Sequence, residues 1–169
     1  MTDLILSDEK LGMLERQFLE LPQVECPVKH TFLPGLYIRE VAIPADTYVI
    51  GHAQRFEHLF FLVEGEGVLV NADGSKVELK GPKYFVAPPG RKLGYCRTQV
   101  RIMNVYPNPD NERDVEKLEE RFMDKSAAYL EAQERMKQLN LTIEAARKTL
   151  HRYGTMTTVI ATGRDAWPG

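Results

Sequence analysis

The segment Pro44-Ala45-Asp46-Thr47-Tyr48-Val49-Ile50-Gly51-His52-Ala53-Gln54-Arg55-Phe56-Glu57-His58-Leu59-Phe60-Phe61-Leu62-Val63-Glu64-Gly65 decides how this 169-residue chain folds. Two runs rich in β-branched and aromatic residues, Thr47–Gly51 and His58–Val63, flank a more polar stretch. Pro44-Ala45-Asp46 breaks the chain before them and Gly65-Glu66-Gly67 after them. Runs of this kind between turn residues read as strands. Side chains two apart on a strand share a face, so His52 and Gln54 project together, and His58 opens the next run.

Working outward, the same texture extends from residue 28 to residue 106. Further short runs are Val28–Leu33, Leu36–Ile43, Gly67–Val70, Lys76–Leu79, Lys83–Ala87, Leu93–Cys96 and Val100–Tyr106. Pro34-Gly35, Gly81-Pro82 and Pro88-Pro89-Gly90 punctuate them. Asn71-Ala72-Asp73-Gly74 is the clearest hairpin turn, because Asp-Gly supplies the positive φ that tight hairpins need. Many short strands at regular spacing predict an all-β barrel or sandwich.

Helical spacing flanks this region on both sides. Before it, Ser7 caps a helix with Asp8 and Glu9 in its first turn, Leu11, Leu14, Phe18 and Leu21 form an apolar stripe, and Pro22 closes it. After Asn108-Pro109, Val115, Leu118 and Phe122 recur at helical spacing. Ser126 and Thr142 read as caps of two further helical segments, with Leu139, Ile143, Ala146 and Leu150 on one face and Gly154 as the stop. The expected organisation is a helical segment over 1–27, a β-barrel over 28–107 and a helical extension over 108–169.

The chain is 43% hydrophobic and 27% charged with a net charge of −2, the balance of a globular protein. That charge carries no basic footprint for nucleic acid and no polybasic membrane patch. No run approaches the roughly 18 apolar residues of a membrane span, and the opening residues lack the pattern of a signal peptide. A cytoplasmic protein is therefore expected, with Cys26 and Cys96, its two cysteines, as free thiols. Neither a phosphate-binding glycine loop nor a Gly-x-Ser-x-Gly nucleophile elbow is present.

The Pro44–Gly65 segment resembles the first motif of the cupins: a glycine, five residues, His-x-His, a glutamate three or four residues on, and a closing glycine. His52 stands at the first histidine, Gln54 at the second, His58 at the glutamate, Gly65 at the closing glycine and Asp46 at the opening one. Gly81 to Leu93 resembles the second motif, with Pro88-Pro89-Gly90 in place, one extra residue after Gly81, and Leu93 where the last histidine belongs. The resemblance spans about Pro34 to Tyr106. It implies a double-stranded β-helix, the jelly-roll barrel, here carrying an N-terminal helix and a helical C-terminal extension. Small cupins of bacterial and phage genomes carry a similar His-x-His-x-x-x-His pattern, and cupins of this size commonly form homodimers, which exposed sheet edges favour.

In the resembling proteins the motif residues hold one divalent metal, and such sites serve dioxygenase, isomerase and related chemistry. Here two imidazoles, an amide and water are the donors available for zinc, iron, nickel or manganese, so His52, His58 and Gln54 are the candidate metal ligands. Three readings stay open. The first is a binding module that holds a small polar ligand in the barrel near His52, Gln54, His58, Tyr95, Tyr48 and Arg39. The second is a metal-dependent enzyme on the histidine pair. The third is an interaction protein that assembles through its C-terminal helices. On β alternation, an inward Tyr95 places Cys96 outside.

Overall fold

The computed structural model of the protein describes residues 7–71 and 73–152, with side-chain burial through residue 145. The elements in chain order are α1 (Asp8–Leu19), β1 (Val28–Leu33), β2 (Gly35–Ile43), β3 (Thr47–Ile50), β4 (Ala53–Gln54), β5 (His58–Glu64), β6 (Glu66–Val70), β7 (Lys76–Lys80), β8 (Lys83–Ala87), β9 (Leu93–Cys96), β10 (Val100–Asn108), α2 (Val115–Phe122), β11 (Met123–Asp124) and α3 (Ala127–Arg152). The expected strands are present nearly residue for residue, since prolines and glycines end most of them.

The strands form two large antiparallel sheets, ordered β1-β2-β10-β5-β8 and β3-β9-β6-β7, and β4 pairs with β11. Leaving out β1 and the β4–β11 pair, eight strands pass between the two sheets along the chain, with the β6–β7 hairpin as the one step that stays within a sheet. This is a jelly-roll topology. One hydrophobic core, built on Val41, Ile43, Leu62, Leu79, Cys96 and Val100, lies between the sheets.

Register sorts the inner side chains of the larger sheet into rows, because partners across an antiparallel ladder share a face. One row is Phe32, Tyr37 and Tyr106. The next is His30, Arg39, Asn104, Phe60 and Phe85. The one after contains Val41, Ile102 and Leu62. The outer face carries Glu40, Glu64 and Arg101, where the Arg101 guanidinium lies 3.1 Å from Glu40 and 3.3 Å from Glu64.

A second core cluster joins Tyr37 and Tyr106 to Leu118, Phe122 and Met123. The Asp114 carboxylate caps α2, accepting from the Glu116 and Lys117 amides. The helix lays Leu118 and Phe122 on the aromatic row, and the Tyr106 and Phe122 rings stack with centroids 4.5 Å apart. The first compact unit runs Met1–Leu130 and includes α2. The second unit is Glu131–Gly169.

The two expected C-terminal segments are one continuous helix, α3. Ser126 caps it by accepting from the Tyr129 amide. Thr142 lies mid-helix, and its hydroxyl is turned back on the Gln138 carbonyl, a bond that removes the need for a break there. Leu139 and Ile143 on its expected apolar face are exposed. Ala146 and Leu150 have no described side chains, and Gly154 lies outside the described residues. At the other end, Ser7 caps α1 as expected, and Leu11 and Glu15 are its buried residues. Leu21 stays exposed beyond the helix.

Leu118 is fully buried between α2 and the barrel. Leu118→Ala is expected to cost about 3 kcal/mol of stability through the cavity it leaves. Leu139→Ala, at an exposed position of α3, is expected to stay within about 0.5 kcal/mol. Urea titrations of the two variants measure the contrast.

Candidate functional site

Between the two sheets lies a cavity of about 280 Å³. Most of its wall is aliphatic or aromatic, from residues such as Val49, Phe60, Leu69 and Ile102. Its polar lining residues are Arg39, His52, Gln54, His58, Lys92 and Asn104. Arg39 and Asn104 are paired across the β2–β10 ladder. His58 begins β5 beside Tyr106, their rings stacked with centroids 5.3 Å apart. His52 precedes β4 and Gln54 ends it, so the link between β3 and β5 carries both to the cavity wall.

His58 is buried and each of its ring nitrogens faces an oxygen acceptor, so the neutral ring donates to one of the two at a time. Nδ1 lies 3.3 Å from the Phe56 carbonyl oxygen and Nε2 lies 3.1 Å from the Asn104 side-chain oxygen. Burial pushes its pKa below the ordinary histidine range, and the Lys92 ammonium adds to this against the two hydrogen bonds. His52 meets the Tyr129 ring edge-on at 4.6 Å. Burial lowers its pKa as well, and Arg39 and Lys125 reinforce the shift. Both imidazoles are therefore neutral at pH 7. The Gln54 carbonyl accepts a 2.9 Å hydrogen bond from the Tyr106 hydroxyl. Burial holds that phenol well above its usual pKa, so it remains a donor.

Two expected site residues lie elsewhere. In β9 the residues facing the core are Gly94 and Cys96, which pair with the inward Leu69 and Gly67. Tyr95 therefore points out, and the inward option for it is corrected. Tyr95 borders the cavity, but its hydroxyl bonds the exposed Asp46 carboxylate at 3.0 Å. Its ring lies 4.7 Å from that of Tyr48. Tyr48 is paired with it across β3 and β9, shares its face and is 61% exposed. The physical reason is parity: small glycines and the thiol fit the crowded interior, and the two phenols pack outside near Phe18 of α1. Arg55 is likewise at the surface, bonded to Asp124.

The second-motif position changes too. Leu93 shares the outward parity of Tyr95, and the neighbour that lines the cavity is Lys92. Lys92 is half-buried, which lowers its pKa, and its ammonium donates to the Pro88 carbonyl at 2.8 Å. Sequence reasoning missed Lys92, Asn104 and the Glu15–Arg91 ion pair. That pair, at 2.8 Å and almost wholly buried, fastens α1 to the segment following Gly90. Asn104 was signalled by its phase in Val100, Ile102, Asn104, Tyr106, where one polar residue occupies an inward slot.

A divalent metal fits this donor set poorly. Both His58 nitrogens are turned toward protein oxygens rather than toward a shared point with His52, and the Gln54 carbonyl already accepts from Tyr106. The inward residue nearest the last motif position is a lysine, which repels a cation. No group of three or more His, Cys, Asp or Glu side chains among the described residues is placed to hold a metal. The thiols do not serve a soft ion readily either, since burial raises Cys26 and pushes Cys96 up to about 11.

No family model matches the chain, and no curated protein matches it. Among solved structures it is similar to an ectoine synthase from P. lautus, at 15% identity over 63% of this chain and 83% of that one, with a TM-score of 0.46. It is also similar to a cupin-2 domain containing protein from Shewanella frigidimarina, at 14% identity over 57% and 92% of the two chains, with a TM-score of 0.40. A third is KdgF from Halomonas sp., at 19% identity over 56% and 88%, with a TM-score of 0.40. Among the described residues, no helix is long and apolar enough to cross a membrane.

The lowered histidine pKa values give stability a sign with pH. An exposed histidine in the unfolded chain titrates near 6.5, whereas His52 and His58 titrate lower in the fold. As pH falls, the unfolded chain takes up these protons first. The contribution is thus fully present above about 6.5 and is lost below it, toward the folded-state pKa values. NMR titration is expected to place both imidazole midpoints below 6.5, with a thermal midpoint lower at pH 5.5 than at pH 7.5. A midpoint at or above 6.5 for either ring contradicts the assignment.

Proposed function

We propose that this cupin-type jelly roll is a binding protein that holds a small, largely apolar molecule inside its barrel without the help of a metal. The observation that carries the reading is the pairing off of the would-be ligands. His58 points its nitrogens at the Phe56 and Asn104 oxygens and donates to one of them, and Gln54 is held by Tyr106, while about 280 Å³ of mainly apolar space lies beside them. A cavity with an apolar wall and a few polar groups is the usual form of a small-molecule site. Apolar burial supplies affinity in such a site, and the polar groups set orientation.

The reading assigns no bond-making step to the chain. Neutral imidazoles already hydrogen-bonded to amide and carbonyl groups are poor proton carriers for a ligand. The Cys96 thiol, pushed up to about 11, is almost entirely protonated at neutral pH and is a weak nucleophile. What the residues can do is exclude water from the ligand's body and hold its polar end.

Elemental analysis of the purified, untreated protein and an NMR titration with 1-hexanol test this together. Substoichiometric metal is expected, with an unchanged thermal midpoint after chelation. Hexanol is expected to shift resonances of Val49, Phe60, Leu69 and Ile102. Ile102→Phe, which fills part of the space, is expected to weaken hexanol at least tenfold. Near-stoichiometric iron, nickel, manganese or zinc, lost in His52→Ala, would overturn the proposal in favour of metal chemistry.

A further inference from the structure

We infer that the molecule this barrel takes is an anion, a carboxylate on an apolar body, with its head seated against Arg39; this rests on the binding reading above and specifies its ligand class. The strand register puts Arg39 on the inner face of the larger sheet, between Tyr37 and Val41 in the β2 alternation and opposite Asn104. An arginine in that position has to be paired, because an uncompensated charge away from water is costly. Its side chain is only 19% exposed. Its Nε is buried and has no hydrogen-bond partner among the described residues.

The nearest carboxylate, Glu119 of α2, stands 3.8 Å from that nitrogen, beyond hydrogen-bond reach. Glu119 is also committed elsewhere, since its other oxygen holds the Lys125 ammonium at 2.7 Å. Burial alone would raise the Glu119 pKa. The Lys125 ammonium prevails with help from Arg39 and His52, so the carboxylate stays ionised with a lowered pKa. One carboxylate thus serves two cations, and its contact with Arg39 is the longer of the two.

The charge of the cavity points the same way. Arg39 and Lys92 both line it, and no aspartate or glutamate does among the described residues. The histidines are neutral and the thiols protonated, so nothing native to the wall balances the two cations. On the outer face of the same sheet Arg101 has two carboxylates close by, Glu40 at 3.1 Å and Glu64 at 3.3 Å, although its Nε too makes no hydrogen bond. Arg39 has one carboxylate, at 3.8 Å and shared with Lys125, and a ligand carboxylate would supply a closer one. A guanidinium edge suits the planar, bidentate oxygens of a carboxylate. The aliphatic rows beyond, Val41 and Ile102 onward, suit its apolar body.

Hexanoate, 1-hexanol and hexylammonium share one body and differ in head group, so their titration into the wild-type protein at pH 7 by NMR isolates the charge. Hexanoate is expected to bind at least tenfold tighter than hexanol, and hexylammonium weakest of the three. Arg39→Met is expected to remove the advantage of hexanoate while leaving hexanol affinity within about twofold, and Arg39→Lys to keep part of it. Equal binding of hexanoate and hexanol would overturn the inference while leaving the binding reading intact, as would a preference for hexylammonium. Failure of all three to bind would overturn both. Should Arg39→Met fail to fold, Lys92→Met beside the wild-type ranking decides: a reduced hexanoate preference supports the anion site, and an absent wild-type preference ends it.

Discussion

Closure of the barrel end over Tyr37 and Tyr106 is the constraint from which the rest of the site follows. A jelly roll left open there would expose its aromatic row to water. α2 covers it with Leu118 and Phe122, and the Tyr37–Tyr106–Phe122 stack results. Burying two phenols in this way creates a polar obligation, because a buried hydroxyl without a partner is costly. Tyr37 meets it through His30 Nδ1 at 2.8 Å, and Tyr106 through Gln54 at 2.9 Å. The helix beyond the barrel and the residue at a familiar ligand position are thus parts of one hydrogen-bonded plug. Gln54 serves the plug, and the requirements of the plug hold it in place.

The same closure shapes the electrostatics. Beneath the plug, water is reduced and charge is expressed more strongly than at the surface. Burial keeps His52 and His58 neutral and raises Tyr37 to about 12. Histidine and tyrosine answer the low dielectric by staying uncharged. Arginine has no such option at any ordinary pH, so the Arg39 guanidinium calls for a counter-charge, and the ionised Glu119 carboxylate is 3.8 Å away. A change of pH across the neutral range cannot relieve it, and Glu119 is held back by Lys125. Glu119 supplies part of the compensation for Arg39 from 3.8 Å, and solvent or an anion in the cavity would supply more.

Much of the barrel was legible because its strands are short and sharply ended. Pro34-Gly35, Asp73-Gly74 and Pro88-Pro89-Gly90 fall at the turns, and little choice remained for the strands between them. Face parity was less legible. Leu93-Gly94-Tyr95-Cys96 permits either face inward, and only the neighbours Gly67 and Leu69 across the ladder show that Gly94 and Cys96 take the interior. That fact lies between strands and cannot be read along one. The same parity reverses Tyr48 and Tyr95, and it brings Lys92 to the position that motif spacing gave to Leu93. The single helix in place of two had a different cause. Thr142 looks like a cap because its hydroxyl can bond backbone, but the Gln138 carbonyl one turn earlier satisfies it without ending the helix.

The positions that match the cupin motifs are therefore of two physical kinds. Gly65 has φ +96°, and a Cβ there would collide with the Gln99 carbonyl and Val100; no neighbouring adjustment substitutes for its missing side chain. Asp46 stands where the motif opens with glycine and has φ 55°, a left-handed conformation that aspartate tolerates better than most residues. These are demands of the chain path, and the barrel depends on them. His52, Gln54, His58 and Lys92 occupy interior slots whose demand is volume and hydrogen-bond satisfaction, which several residue types can meet. A glutamate position filled by His58 is stable once Asn104 lies opposite to bond it. The backbone positions can then hold a barrel in place while the side-chain positions give up metal donors and take on cations, which is how fold and site chemistry separate within one chain.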